Sequence, residues 1–196
     1  MDEKDLVRRC SAGNPGARQE MYETYAGRVL AVCRRYVRDA ARARDLTHDT
    51  FLKAWDSLGR FRPWRAGSLG AWLCQIAAHL SVDELRRERR FVEITDPVRS
   101  EGRSRDDAAG TGPEEAAIDP DRLRQIPVEE LIDLVASLPE GYRAVFNLFC
   151  LDGYSHREIA RMLGITEKTS QTQYLKARRR LAAMIVAKYG NDDEEK

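Results

Sequence analysis

Apolar residues recur along this chain at three- and four-residue spacing, and strict apolar–polar alternation holds over no useful length. That is the period of amphipathic helices, not of half-buried strands. A short helix is expected over residues 2–12, stopped by Gly13-Asn14-Pro15-Gly16. Asn14 is placed to cap a second helix with Pro15 in its first turn. Met21, Tyr25, Val29, Val32 and Tyr36 share one side of that helix. A third helix covers about 40–58, with Leu46, Phe51, Leu52 and Trp55 expected on its apolar side. The stretch Gly59 to Gly67 is a loop by its Gly and Pro content. Ser68 is expected to cap a fourth helix carrying Leu69, Trp72, Leu73, Ile76, Leu80 and Val82, which then turns polar towards Arg90.

The pattern breaks near residue 95. From Thr95 to Gln125 the chain holds eight acids and five bases and almost no large apolar residue. Such a stretch buries too little surface to offset its chain entropy, so residues 96–125 are expected to be a flexible linker. Periodicity resumes at about Pro127, first in a short helix ending near Leu138. A second begins at Pro139, with Val145, Phe146, Leu148 and Phe149 as core. The fold class is therefore all-α: two small helical bundles, 1–95 and 126–190, joined by a flexible linker and followed by an acidic tail over 191–196.

The C-terminal bundle carries the sharpest local signal. Ser155-x-x-Glu158 is a capping box, in which hydroxyl and carboxylate each satisfy the other residue's backbone amide. Ile159, Ala160, Met162 and Leu163 supply a buried side. Gly164 follows where a left-handed residue is wanted. Ile165 is expected to plug the turn and Thr166 to cap the next helix. Helix, glycine turn and capped second helix fit a DNA-binding helix-turn-helix. The second helix then offers Thr166, Glu167, Lys168, Thr169, Ser170, Gln171, Thr172, Gln173 and Tyr174 towards base edges. Gln pairs with adenine, Glu accepts from cytosine, and a Thr methyl packs on thymine. Lys176, Arg178 and Arg179, with Arg157 on the helix before, are suited to phosphates.

Two N-terminal stretches carry further chemistry. Asp45 to Trp55 sets Asp45, Asp49 and Lys53 on one helix side beside the aromatics Phe51 and Trp55. It reads either as a helix with a charged solvent face or as a docking surface. Ala71 to Arg90 is apolar on one side and ends in a dense arginine cluster, with Asp83, Arg86, Arg87 and Arg90 on its polar part. Arginines beside Phe61, Trp64 and Trp72 are what single-stranded nucleic acid needs, for phosphate attraction and base stacking.

Composition narrows this picture. Net charge is +1 over 196 residues, so a nucleic-acid signal has to be local. No apolar run approaches the roughly 20 residues of a membrane span, and the charged N-terminus is not a secretory signal, so the chain is expected in the cytoplasm. Cys10, Cys33, Cys74 and Cys150 are widely spaced, which disfavours a zinc site or a disulfide framework and suggests reduced, mostly buried thiols. No metal or cofactor is expected. Nor is catalysis: three scattered histidines without convergent acids offer no enzyme site. The residues alone leave open a stand-alone helix-turn-helix regulator, though the N-terminal half lacks a strand–helix sensing domain.

Taken together, the chain resembles a bacterial RNA polymerase sigma factor of the extracytoplasmic-function (ECF) group. Asp45 to Trp55 resembles the motif that binds core polymerase. Ala71 to Arg87 resembles the segment that melts and reads the −10 promoter element. Leu138 to Phe146 and Gly153 to Leu181 resemble the domain that reads the −35 element. The resemblance implies core RNA polymerase and promoter DNA as partners, double-stranded at −35 and single-stranded at −10, and an anti-sigma factor as controller. It implies core-polymerase contacts at Asp45, Asp49, Phe51, Lys53 and Trp55. It also implies −10 contacts at Phe61, Trp64, Trp72, His79, Asp83, Arg86, Arg87 and Arg90. The chain departs from the group where Gln often stands at His48, and Asn at His79. In the recognition helix the group often has Gly-Thr-Val-Lys-Ser-Arg; here it is Lys168-Thr-Ser-Gln-Thr-Gln173, with glutamines at two basic positions. A sigma-like protein without promoter activity is the alternative within this resemblance.

Overall fold

The computed structural model describes residues 2–62, 68–95 and 126–189, with backbone alone for 88–95 and 128–129. The described residues form α1 (Glu3–Ser11), α2 (Pro15–Tyr36), α3 (Ala40–Ser57), α4 (Ser68–Thr95), α5 (Val128–Ser137), α6 (Glu140–Phe146), α7 (His156–Leu163) and α8 (Glu167–Tyr189), and no strand. The chain divides into two compact units, Met1–Leu85 and Arg86–Lys196. The expected linker 96–125 and acidic tail 191–196 lie outside the described residues, as does Trp64; of Arg90 only the backbone is described.

In the first unit α2 takes its expected cap, and α3 takes one from Asp39. Asn14 accepts from the Ala17 amide at 2.9 Å with Pro15 opening α2, and Asp39 accepts from the Arg42 amide at 2.6 Å to start α3. Met21, Val29, Val32, Cys33 and Tyr36 of α2 are buried, with Leu46, Phe51 and Ala54 of α3 and Leu69, Leu73, Ala77 and Val82 of α4. Arg42 reaches across to the carboxylate of Glu84, a polar tie between α3 and α4. Two expectations fail. Leu52 is 55% exposed, because the α3 core stripe runs Ala43, Leu46, Thr47, Thr50, Phe51, Ala54 and Leu52 falls off it. Ser68 does not cap α4; it is the helix's first residue, and its buried hydroxyl has no hydrogen-bond partner among the described residues.

The second unit packs α5, α6 and α8 around Leu138, Ala177 and Leu181, with Leu134, Val135, Tyr142, Phe146 and Met184 against them. Arg143 is buried and donates to the Ala136 and Leu138 carbonyls, closing the C-terminal end of α5. Glu130 of α5 accepts from both Lys188 and Tyr189 at the end of α8. Beyond α6 the chain widens into a π-helical turn, Asn147–Leu151, in which Asp152 donates to the carbonyl five residues back at 3.0 Å. None of the four cysteines is in a disulfide, but only Cys10 and Cys33 are buried; Cys150 is exposed on that turn.

Candidate nucleic-acid interface

The helix-turn-helix forms as its chemistry dictates. Ser155 N donates to Glu158 Oε2 at 2.9 Å, and Glu158 N donates back to Ser155 Oγ at 3.3 Å. Ser155 Oγ, donating to Glu158 Oε2 at 2.6 Å, contributes most to holding the Glu158 carboxyl below its ordinary range, and the Ser155 amide adds to it. Gly164 ends α7 at φ +68, a left-handed conformation open to glycine without Cβ strain, and the Ile165 amide returns to the Ala160 carbonyl at 3.0 Å. Thr166 Oγ1 accepts from Thr169 N at 3.0 Å, capping α8.

The facing of α8 sorts its expected contacts. Glu167, Lys168, Gln171, Thr172, Arg178 and Arg179 are exposed along one side, and Thr166 and Arg157 are exposed at the turn and on α7. Lys168, Thr169, Gln173 and Lys176 line a cleft of about 400 Å³ with Tyr142 of α6. Ser170 has to be withdrawn from the base-facing set. It is 0% exposed, and its hydroxyl meets His156 Nδ1 at 2.9 Å. That imidazole stacks on Phe149 at 4.4 Å and 10°, and Tyr174 closes the cluster against Phe149 at 4.6 Å. Tyr174 is thus half-buried as a support of α8, and Gln173 is half-buried with its amide oxygen enclosed. The π-helical turn is what carries Phe149 to His156; nothing in the sequence pattern announces it.

On the first unit, Asp45, Asp49 and Lys53 stand exposed on one side of α3 with His48. Phe51 does not join them: it is 1% exposed, packed beneath Tyr22 at 4.8 Å. Trp55 is half-buried, with the Arg18 guanidinium of α2 over its ring at 5.4 Å. Arg18 is therefore a neighbour of this surface that the sequence did not single out.

A separate cleft of about 130 Å³ opens where α4 begins, lined by Arg60, Phe61, Arg62, Ser68, Trp72 and Gln75. Phe61 packs tilted against Trp72 at 5.1 Å and 43°. The orphaned Ser68 hydroxyl lies in this lining. Downstream on α4, His79, Asp83 and Arg87 are exposed and Arg86 half-exposed. His79 Nδ1 donates to the Gln75 carbonyl at 2.8 Å.

Comparison with known proteins decides what these surfaces belong to. The family described as Sigma-70 region 2 matches residues 21–91, and Sigma-70, region 4 matches residues 128–181. The ECF RNA polymerase sigma factor SigL of Mycobacterium tuberculosis is 30% identical over 168 residues, covering 83% of this chain and 85% of the relative. The chain is an ECF sigma factor. BldN of Streptomyces coelicolor, another ECF RNA polymerase sigma factor, is 29% identical over 92% of this chain; the chain spans 65% of BldN's length. Among solved structures, the sigma factor RpoE of Bartonella quintana, in complex with the anti-sigma factor NepR, aligns over 85% of this chain and 95% of its own, at 23% identity and a TM-score of 0.45.

In this sigma factor the charged α3 side and the α4 cleft fall inside the region 2 match, and the helix-turn-helix inside region 4. The residues that sequence reading missed are Arg18, Arg60, Arg62 and Gln75. Arg60 and Arg62 sit in the same loop as Phe61, where a basic–aromatic alternation was available as a signal.

Proposed function

We propose that this sigma factor binds core RNA polymerase and directs promoter-specific initiation. The region 4 helix-turn-helix reads a double-stranded −35 element, and region 2 melts and holds the −10 element. The observation that carries this reading is the order on one chain of a charged α3 face, an arginine- and aromatic-lined cleft, and a fully capped helix-turn-helix. Asp45, Asp49 and Lys53 form the polymerase-facing surface, with Phe51 and Trp55 holding its shape from beneath. The cleft at Phe61 and Trp72 receives an unstacked base of the −10 strand, at an unstacking cost of a few kcal/mol. Arg60, Arg62, Arg86 and Arg87 attract that strand's phosphates. At −35, Glu167, Lys168 and Gln171 face base edges, while Lys176, Arg178, Arg179 and Arg157 neutralise phosphates.

No covalent chemistry falls to this chain; the polymerase carries out synthesis. The protein works in the cytoplasm, where polymerase is; among the described residues no helix is long and apolar enough to cross a membrane. An anti-sigma factor holds it inactive, as is common in this group. The test is direct. The protein is mixed with core polymerase and a promoter library, and the transcripts are sequenced. One class of start sites sharing −10 and −35 elements is expected. Absence of both core binding and promoter-specific starts refutes the reading.

A further inference from the structure

Two large apolar side chains stand exposed on α8, Leu175 and, three turns further on, Val186, and only Leu175 lies among the residues that face base edges and phosphates. Leu175 is 50% exposed. It lies one turn beyond Gln171 and Thr172 and one turn before Arg178 and Arg179, all exposed. A single surface leucine is ordinary. What sets this one apart is its neighbour. Thr172, exposed and bordering the cleft with Tyr142, donates its hydroxyl to the Lys168 carbonyl at 2.9 Å, which leaves its methyl as the group not engaged in that bond. The other threonine hydroxyls nearby are likewise engaged: Thr166 and Thr169 bond each other at 2.8 Å. Hydrogen bonding on this side is thereby concentrated at Glu167, Lys168 and Gln171. Thr172 and Leu175, three residues apart and so adjacent on the helix surface, form an apolar step between those residues and the arginines.

We propose that Leu175 and the methyl group of Thr172 read a thymine 5-methyl group in the −35 major groove. This rests on the reading of α8 as the −35 helix. Thymine is the base that offers a methyl there. An apolar step gains nothing from phosphate or from a cytosine amine.

The test uses holoenzyme assembled from core polymerase and the full chain, on the promoter recovered by library selection. Each −35 thymine is replaced in turn by uracil, which removes the methyl and leaves every base-pairing group in place. Wild-type holoenzyme is expected to bind one or two of the uracil promoters about two- to fourfold more weakly, the effect of losing one buried methyl contact. Leu175→Ala is expected to bind thymine and uracil promoters alike; being half-exposed, the site tolerates alanine in a helix. Leu175→Gln, which keeps length without an apolar tip, is expected to do the same. Indifference of the wild type to every uracil overturns the proposal. So does an unchanged thymine preference in both variants, including the case in which they lose only a protein partner, and so does a −35 element without thymine. Recovery of a −35 element in those cases leaves the −35 reading standing; recovery of none overturns both.

Discussion

His156→Phe isolates the least expected contact in the helix-turn-helix. The phenyl ring keeps the stack on Phe149, whose plane lies within 10° of the imidazole, so little packing is lost. What is lost is the partner of the Ser170 hydroxyl, a 2.9 Å bond at a residue with no solvent exposure. Stranding a buried hydroxyl costs about 1–3 kcal/mol. Ser170 can rotate back onto the Thr166 carbonyl, which already accepts from its own amide at 3.0 Å, so about 1–2 kcal/mol is expected. Ser170→Val, the residue the group often carries here, removes the hydroxyl itself. It leaves only a half-buried imidazole nitrogen within reach of water and costs less than about 1 kcal/mol. The double variant has neither orphan and should return close to wild type. The cycle therefore predicts a coupling of about 1–3 kcal/mol between the sites.

The assay is urea unfolding followed by two probes. All tryptophans, Trp55, Trp64 and Trp72, precede the second unit, so their fluorescence reports the first unit while far-ultraviolet circular dichroism reports both. His156→Phe should shift the dichroism transition and leave the fluorescence midpoint unmoved. If the two single changes add, so that the double variant is no more stable than His156→Phe, the bond does not hold the recognition helix.

Three further outcomes are expected. Asp49→Ala weakens core-polymerase binding, read by native gel or anisotropy, without altering isolated −35 duplex binding; normal core affinity in that variant removes the α3 face from the polymerase surface. Gln171→Ala relaxes the −35 preference at one position by about 1–3 kcal/mol, read from the sequenced transcripts, and an unchanged transcript set removes Gln171 from the readers. Glu158 and Glu130 are both held below the carboxylate's usual 4.5, by Ser155 and by Lys188 with Tyr189 respectively. Depressed values stabilise the fold above the unfolded carboxyl's titration and lose that contribution as pH falls through the folded values. The dichroism midpoint should therefore drop below about pH 4.5, and Glu158→Gln with Glu130→Gln should flatten that drop; a profile unchanged by both substitutions refutes the linkage.

Much of the architecture was legible because it rests on local chemistry. Asn14 before Pro15, Ser155 three before Glu158, Gly164 after Leu163 and Thr166 at the next start each satisfy backbone groups within a few residues. Such signals need no tertiary context. The region 2 surfaces were legible as stretches but not as faces. Asp45, Asp49 and Lys53 lie four residues apart and so share a side. Phe51 and Trp55 lie four apart on another, and that side meets Tyr22 and Arg18 of α2. Only the packing of α2 on α3 separates the charged stripe from the aromatic one.

The recognition helix shows why motif and facing are different information. Ser170, Ala177, Leu181 and Ile185 are buried and Tyr174 half-buried, and their spacing of four, three, four and four traces one stripe through α8. Ser170 is polar and begins the helix's second turn, so its type argues for the groove while its period argues for the core. Leu175 is the converse: its type argues for the core and its period for the groove. Where type and period conflict, burial follows period, because the backbone fixes which side chains point inward before their chemistry is consulted. The mismatch then has to be absorbed. At Ser170 it is absorbed inside the protein by His156, which a π-helical turn backs with Phe149. Leu175 is instead left 50% exposed, and the match proposed for it is the thymine methyl, the apolar group that the major groove displays.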